Sequence, residues 1–323
     1  FFLYMSHYAV HDPIQGRKDL VQKYKEKLKG LTPYDGPNYI LEGNPDNPKN
    51  PSKQELAKLI NTPAFEPYKI LPNETFKIKQ KQDNIEFAGM VESIDESLGR
   101  IMKKIEELGL NNNTIVFFYS DNGGMSPAYM GNPERIIPAN EQDMAYSTSN
   151  LPLRGAKGWL YEGGIRVPLI VKWPEKGEKN IESDIPITSV DMFPTILTMV
   201  GARQRIGKDK EGVDFSPLLK GETIERGAIY WHFPHYSNHG MHSPGGAVRE
   251  GDYKLLEYFE NGTLQLFNLK NDIGEQNDLS KIEIKKTEEL KEKLHQWREK
   301  IGAQMMQSNP DYDPSIKADE YHL

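Results

Sequence analysis

Two short apolar runs, each bordering a long polar and glycine-rich loop, constrain this chain more than anything else in it. Thr114-Ile115-Val116-Phe117-Phe118-Tyr119 follows an Asn-rich turn, and Pro168-Leu169-Ile170-Val171-Lys172-Trp173 follows a loop that closes near Arg166. Continuous runs of this length predict strands buried on both faces. Upstream of the first, Phe87, Met90, Val91, Ile94, Leu98, Ile101, Ile105 and Leu108 recur at three-and-four spacing, which predicts an amphipathic helix over 85–108 ended by Gly109. Helix followed by buried strand predicts an α/β fold with a parallel sheet. Such sheets place ligands in the loops at strand ends.

The remaining pattern divides the chain. Phe1-Phe2-Leu3-Tyr4-Met5 reads as a further strand, one that starts the sequence inside a fold. From there to about residue 80 the chain is a polar excursion with short helical pieces such as 17–28. Residues 189–200 have helical spacing and end at Gly201. Past a boundary in 202–226, the segments 228–232, 247–250, 253–259 and 264–268 predict short strands joined by Gly-Asp and Asn-Gly turns, an antiparallel sheet with a helix over 284–301 on one face. The expected architecture is an α/β domain over 1–205, a small antiparallel α+β domain over 206–306 and an extended tail over 307–323.

Bulk properties exclude several classes. A chain of 323 residues exceeds one ordinary core. No apolar run approaches the ~18 residues of a membrane span. A formal charge of -7 and a pI near 5.7 argue against a nucleic-acid partner, which needs a basic face for phosphates. Cysteine is absent, which removes disulfides, thiolate metal sites and a cysteine nucleophile.

Four places carry chemistry. Ser120-Asp121-Asn122-Gly123-Gly124 sits directly after the first run, where a carboxylate beside a carboxamide offers hard oxygen donors for Ca²⁺ or Mg²⁺. The same residues also make a good tight turn. In Leu153-Arg154-Gly155-Ala156-Lys157-Gly158, small neighbours let the Lys157 ammonium approach an oxyanion, and Arg154 is a second cation for a substrate; both are alternatively solvated loop charges. His11, near a proline turn, offers an imidazole that could protonate a departing alkoxide, or is simply structural. His232, His235, His239 and His242 fit no zinc-binding spacing and read as an aromatic-lined pocket wall for substrate, or as a surface loop.

In combination these signals resemble the sulfatase family of the alkaline-phosphatase superfamily. The resemblance runs through His11-Asp12-Pro13, Met90-Val91-Glu92-Ser93-Ile94-Asp95, the Ser-Asp-Asn-Gly-Gly turn and Arg154-Gly155-Ala156-Lys157-Gly158 with Tyr161-Glu162-Gly163-Gly164-Ile165-Arg166. It continues through Ser189 to Thr195, Val248 to Leu255 and Leu266 to Asp272, covering essentially the whole chain. It implies a partial alkaline-phosphatase-like sheet with flanking helices plus the small C-terminal domain. Asp121 and Asn122 are implied as ligands of Ca²⁺ (Mg²⁺ being possible), Lys157 and His11 as sulfate contacts with His11 the acid for the leaving group, and Arg166 and Glu162 as structural. Asn at the second position of the turn favours one metal and sulfate, where related phosphatases resemble carriers of Asp-His.

The departures matter equally. The family's N-terminal Asp-Asp pair and its Cys/Ser-x-Pro-x-Arg motif, source of the formylglycine nucleophile, are not found in these residues. The expectation is therefore a sulfatase, acting on sulfated carbohydrate or aryl sulfate and periplasmic or secreted by family analogy, whose formylglycine lies upstream of this chain; the chain by itself is expected to be inactive. Two other readings are a phosphoester or phosphonate hydrolase of the same superfamily and a non-catalytic module that binds sulfated glycan.

Overall fold

The computed structural model describes residues 1–32, 35–43, 54, 55, 58, 75–126, 146–174, 176–207, 211–236, 243–311 and 313. Its elements are α1 (Lys18–Lys29), β1 (Tyr39–Gly43), β2 (Thr75–Lys79), α2 (Ile85–Glu107), β3 (Val116–Tyr119), a single turn α3 (Glu162–Ile165), β4 (Leu169–Lys172) and α4 (Met192–Met199). There follow β5 (Ile229–Phe233), β6 (Gly245–Glu250), β7 (Tyr253–Tyr258), β8 (Leu264–Asn268) and α5 (Ile284–Ile301). The fold is mixed α/β, and no helix among the described residues is long and apolar enough to cross a membrane.

The periodic helices form where the spacing places them. Asn84 caps α2 by accepting a hydrogen bond from the Phe87 amide. α1 lies along α2, with Glu86 accepting from the Gly16 amide at 2.6 Å and ion pairs joining Arg17 to Glu96 and Lys23 to Glu92.

Strand direction departs from expectation. β3 and β4 pair antiparallel, Val116 opposite Lys172 and Tyr119 opposite Leu169. A parallel pair needs a crossover, usually a helix, between its two strands. Only the single turn α3 stands in the described part of that connection, so β4 returns beside β3 in the opposite sense. Neither strand is buried on both faces: Tyr119 is 41% and Ile170 64% exposed. Phe1 to Met5 form no strand, and these five side chains are 52–86% exposed. Conversely, β1 and β2 pair antiparallel with Ile40 opposite Ile78 inside the stretch read as a polar excursion.

The C-terminal sheet follows the pattern closely. Its order is β5-β6-β7-β8, antiparallel throughout, with Gly251 at φ +57° and Gly262 at φ +70° in the predicted turns. Period-two alternation sorts its side chains onto two buried faces. Val248, Leu255 and Leu266 pack against Leu290 and Leu294 of α5. Ala247, Leu256, Tyr258 and Phe267 pack against Ala156, Trp159, Leu160 and Tyr161, the loop that contains Lys157. The sheet is therefore a wall with a helix behind it and a candidate site loop in front. Of the tail beyond residue 306, only 307–311 and 313 fall among the described residues, and they carry no helix or strand.

Leu290 is fully buried, so Leu290→Ala should lower unfolding free energy by about 2–5 kcal/mol in urea denaturation. Ile282→Ala, at a side chain 74% exposed, should change it by no more than about 0.5 kcal/mol.

Candidate active site

The turn after β3 and the loop before α3 interlock backbone to backbone. The Gly123 amide donates to the Gly164 carbonyl at 2.9 Å, the Lys157 amide to the Gly124 carbonyl at 3.2 Å, and the Gly163 amide to the Arg154 carbonyl at 2.7 Å. A Cβ on Gly123 would stand 1.8 Å from the Gly163 carbonyl oxygen, so only glycine permits this approach. Gly155, at φ +74°, bends the loop so that Lys157 comes up beside the turn.

On this frame the turn presents oxygens. Asp121 is exposed; its Oδ1 accepts from the Asn122 amide at 2.9 Å, leaving Oδ2 open. Asn122 Nδ2 donates to the Gly123 carbonyl at 2.9 Å, and Oδ1 is its oxygen donor atom. Both fit a hard divalent cation as two ligands of the six to eight that calcium takes. Among the described residues no group of three or more His, Asp, Glu or Cys side chains is arranged around a metal position.

Lys157 and His11, 146 positions apart, meet: Lys157 Nζ lies 2.8 Å from His11 Nε2. An ammonium can only donate, so Nε2 accepts and the ring proton sits on Nδ1, which donates to the Asp12 carbonyl at 3.1 Å. Lys157 is half-buried and His11 exposed, so the pair opens to solvent from a fixed loop.

Arg154 and His232 have partners within the fold. The Arg154 guanidinium, 10% exposed, donates to both carboxylate oxygens of Glu42 and to the Glu275 carbonyl, and lies 4.2 Å from the Tyr161 ring centroid. These donors are engaged by the framework. His232 Nε2 donates to the Gln304 carbonyl at 2.7 Å, tying β5 to the chain beyond α5. His235 is exposed, edge-on to Phe233. His239 and His242 lie outside the described residues. Sequence reasoning passed over Asn150, which hydrogen-bonds Gly124, Ser126 and Gly155. Only its place four residues before Arg154 hinted at it.

The sulfatase family matches residues 1–202, well over half of the chain. The chain belongs to the sulfatase family. The C-terminal family of N-sulphoglucosamine sulphohydrolase matches residues 156–303. Among curated relatives, a sulfatase of Formosa agariphila is 29% identical over 298 residues, 86% of this chain and 42% of that one. The steryl-sulfatase of Mus musculus is 34% identical over 137 residues, 42% of this chain and 20% of that one. In structure the chain is similar to Ps i-CgsB, with TM-score 0.59, 21% identity, and coverage of 92% of this chain and 49% of that one. It is also similar to BT4656, with TM-score 0.52, 23% identity, and coverage of 68% and 40%. This sulfatase chain thus spans half or less of the length of these relatives and structures.

What seats the Lys157 loop of this sulfatase on the C-terminal sheet is a buried ionic cluster. Lys254 Nζ on β7 lies 3.0 Å from Glu162 Oε1 and 2.9 Å from Glu275 Oε1, and the Glu162 amide donates to Glu275 Oε2 at 2.7 Å. Arg249 and the half-exposed Arg166 approach Glu162 Oε2 at 3.6 and 3.8 Å. Burial alone would push Glu162 up, but Lys254, Arg249 and Arg166 together hold it below the usual carboxylate range. Burial pushes Glu275 up, and Lys254 only partly offsets this. The expectation that Glu162 and Arg166 are structural fits this geometry.

Removing one partner of a buried pair leaves the other charge uncompensated. Glu162→Gln should cost about 3–5 kcal/mol in urea denaturation, and Glu275→Gln less, because burial already favours its neutral form. With its folded value depressed, Glu162 contributes stability fully above pH 4.5, its ordinary value, and loses it as pH falls through the folded value. The acid limb of the stability profile should accordingly be shallower in Glu162→Gln.

Proposed function

We propose that this chain carries part of the active-site frame of a sulfatase that hydrolyses sulfate esters of carbohydrates. The observation that carries the reading is the 2.8 Å approach of Lys157 to His11 beside a turn bearing Asp121 and Asn122, with the turn and the lysine loop joined through Gly124. Family membership supports the reaction class. Support for a carbohydrate comes from BT4656, solved with D-glucosamine-2-N,6-O-disulfate, and from Ps i-CgsB, solved with a neocarrahexaose.

In this reading Lys157 binds a sulfate oxygen as a fixed cation, stabilising the negative charge carried in the transition state. His11 is then released for proton transfer. While Lys157 donates to Nε2, that nitrogen has no proton to give. A sulfate oxygen offers the ammonium another acceptor, which frees Nε2 of the exposed His11 to take a proton from solvent water and pass it to the leaving alkoxide. The Asp12 carbonyl keeps the ring oriented throughout, because Nδ1 donates to it in either state. Asp121 and Asn122 would hold calcium, which would supply positive charge for the sulfate ester and the nucleophile. The reading places the nucleophile, a formylglycine, on polypeptide outside residues 1–323, since these contain no cysteine and no Ser-x-Pro-x-Arg. It also places the protein in the periplasm or outside the cell, as a family inference.

In the complete polypeptide, Lys157→Ala should lower turnover of a sulfated sugar by about a hundredfold or more, with phosphate esters poor substrates throughout. Unchanged turnover would remove Lys157 from the reaction, and preferential phosphate ester hydrolysis would overturn the sulfate assignment. By calorimetry, Asp121→Ala and Asn122→Ala should each weaken calcium binding, and wild-type affinity in both would remove them from the metal site.

A further inference from the structure

The geometry points to Asn150 as the positioning residue that sets the distance between the turn bearing Asp121 and Asn122 and the loop bearing Lys157. This inference rests on the reading of those three residues as one site. Asn150 reaches four atoms: Oδ1 accepts from the Gly124 amide at 3.1 Å, while Nδ2 faces the Gly124 carbonyl at 2.8 Å, Ser126 Oγ at 3.0 Å and the Gly155 carbonyl at 3.2 Å. Gly124 lies two residues past Asn122, and Gly155 two residues before Lys157. One carboxamide therefore bridges the two functional segments at equal remove from each.

The bridge is matched to its place. Both peptide groups of Gly124 are engaged, its amide by Asn150 and its carbonyl by Asn150 Nδ2 together with the Lys157 amide at 3.2 Å. A Cβ at Gly124 would lie 2.5 Å from Thr148 Cγ2 and 2.9 Å from Asn150 Oδ1, so glycine leaves room for both side chains. The chemistry requires a donor and an acceptor on one short, rigid side chain. Aspartate has the same shape but turns an oxygen toward the Gly124 and Gly155 carbonyls, replacing two attractions by two repulsions. Alanine removes the bridge without adding repulsion. The link is set apart from the ionic cluster at Glu162, which seats the loop on the sheet and does not reach the turn through any side-chain bond described above.

The test uses the complete polypeptide with Asn150→Asp and Asn150→Ala. Its two readouts are hydrogen exchange of the metal-free protein and calcium affinity by calorimetry. Expected is exchange about tenfold faster in 121–126 and 154–158 together, with β5 to β8 unchanged, calcium affinity lowered by about tenfold, and Asn150→Asp affected at least as strongly as Asn150→Ala. Wild-type exchange in both segments, loosening of one segment alone, or loosening spread evenly over the whole protein would each overturn the proposal. Absence of sulfate-ester turnover or of calcium binding in the unsubstituted protein would sink the functional reading instead, and the exchange data would still decide whether Asn150 joins the two segments.

Discussion

Lys254 is a fully buried ammonium held between two buried carboxylates, Glu162 and Glu275, and the placement of the Lys157 loop depends on it. Desolvating these ions is costly, so the cluster is tolerable only when all its members are present and closely spaced. Among its described residues the connection from β3 to β4 has a single helical turn, α3, as its only regular structure, and nothing in its own backbone preference would fix it. Its seat is defined from below by apolar contact of Ala156, Trp159, Leu160 and Tyr161 with the sheet, and laterally by the Glu162 cluster and the Arg154–Glu42 pair. Apolar contact supplies affinity without direction, and the ion pairs supply the direction.

That division explains how a flexible-looking glycine-rich sequence holds a cation in place. Arg154 and Glu162 flank Lys157 and are spent inward, so the intervening lysine is left directed at His11. A charge fixed before substrate arrives needs little reorganisation when negative charge develops beside it. The interlocked glycines extend the same rigidity to Asp121 and Asn122, because Gly123 sits against Gly163 with no side chain between them.

Much of this was legible in the sequence, and the losses have a common cause. Helix α2, the two hairpin turns at Gly251 and Gly262 and both faces of the C-terminal sheet follow from local periodicity and turn chemistry. That Lys157 and Asp121–Asn122 lie close together could be anticipated from the small residues around them, while the contact of Lys157 with His11, 146 positions away, has no local signal. Arg154 could not be separated from Lys157, since what distinguishes them is Glu42 on a distant strand and a carbonyl at Glu275. His232 likewise meets its acceptor only after α5. Strand direction failed because β3 and β4 are joined by a long connection whose path no local pattern encodes. The reading of Phe1 to Met5 as a buried strand rested on apolarity alone, and apolarity does not name a partner.

The most direct test of the account is a crystal structure of the complete polypeptide grown with calcium and soaked with inorganic sulfate. The account predicts calcium on Asp121 Oδ2 and Asn122 Oδ1, and sulfate accepting from Lys157 Nζ, with His11 Nε2 turned from the ammonium to the sulfate. Calcium and sulfate bound away from these residues, with the Lys157 to His11 contact unchanged, would contradict it.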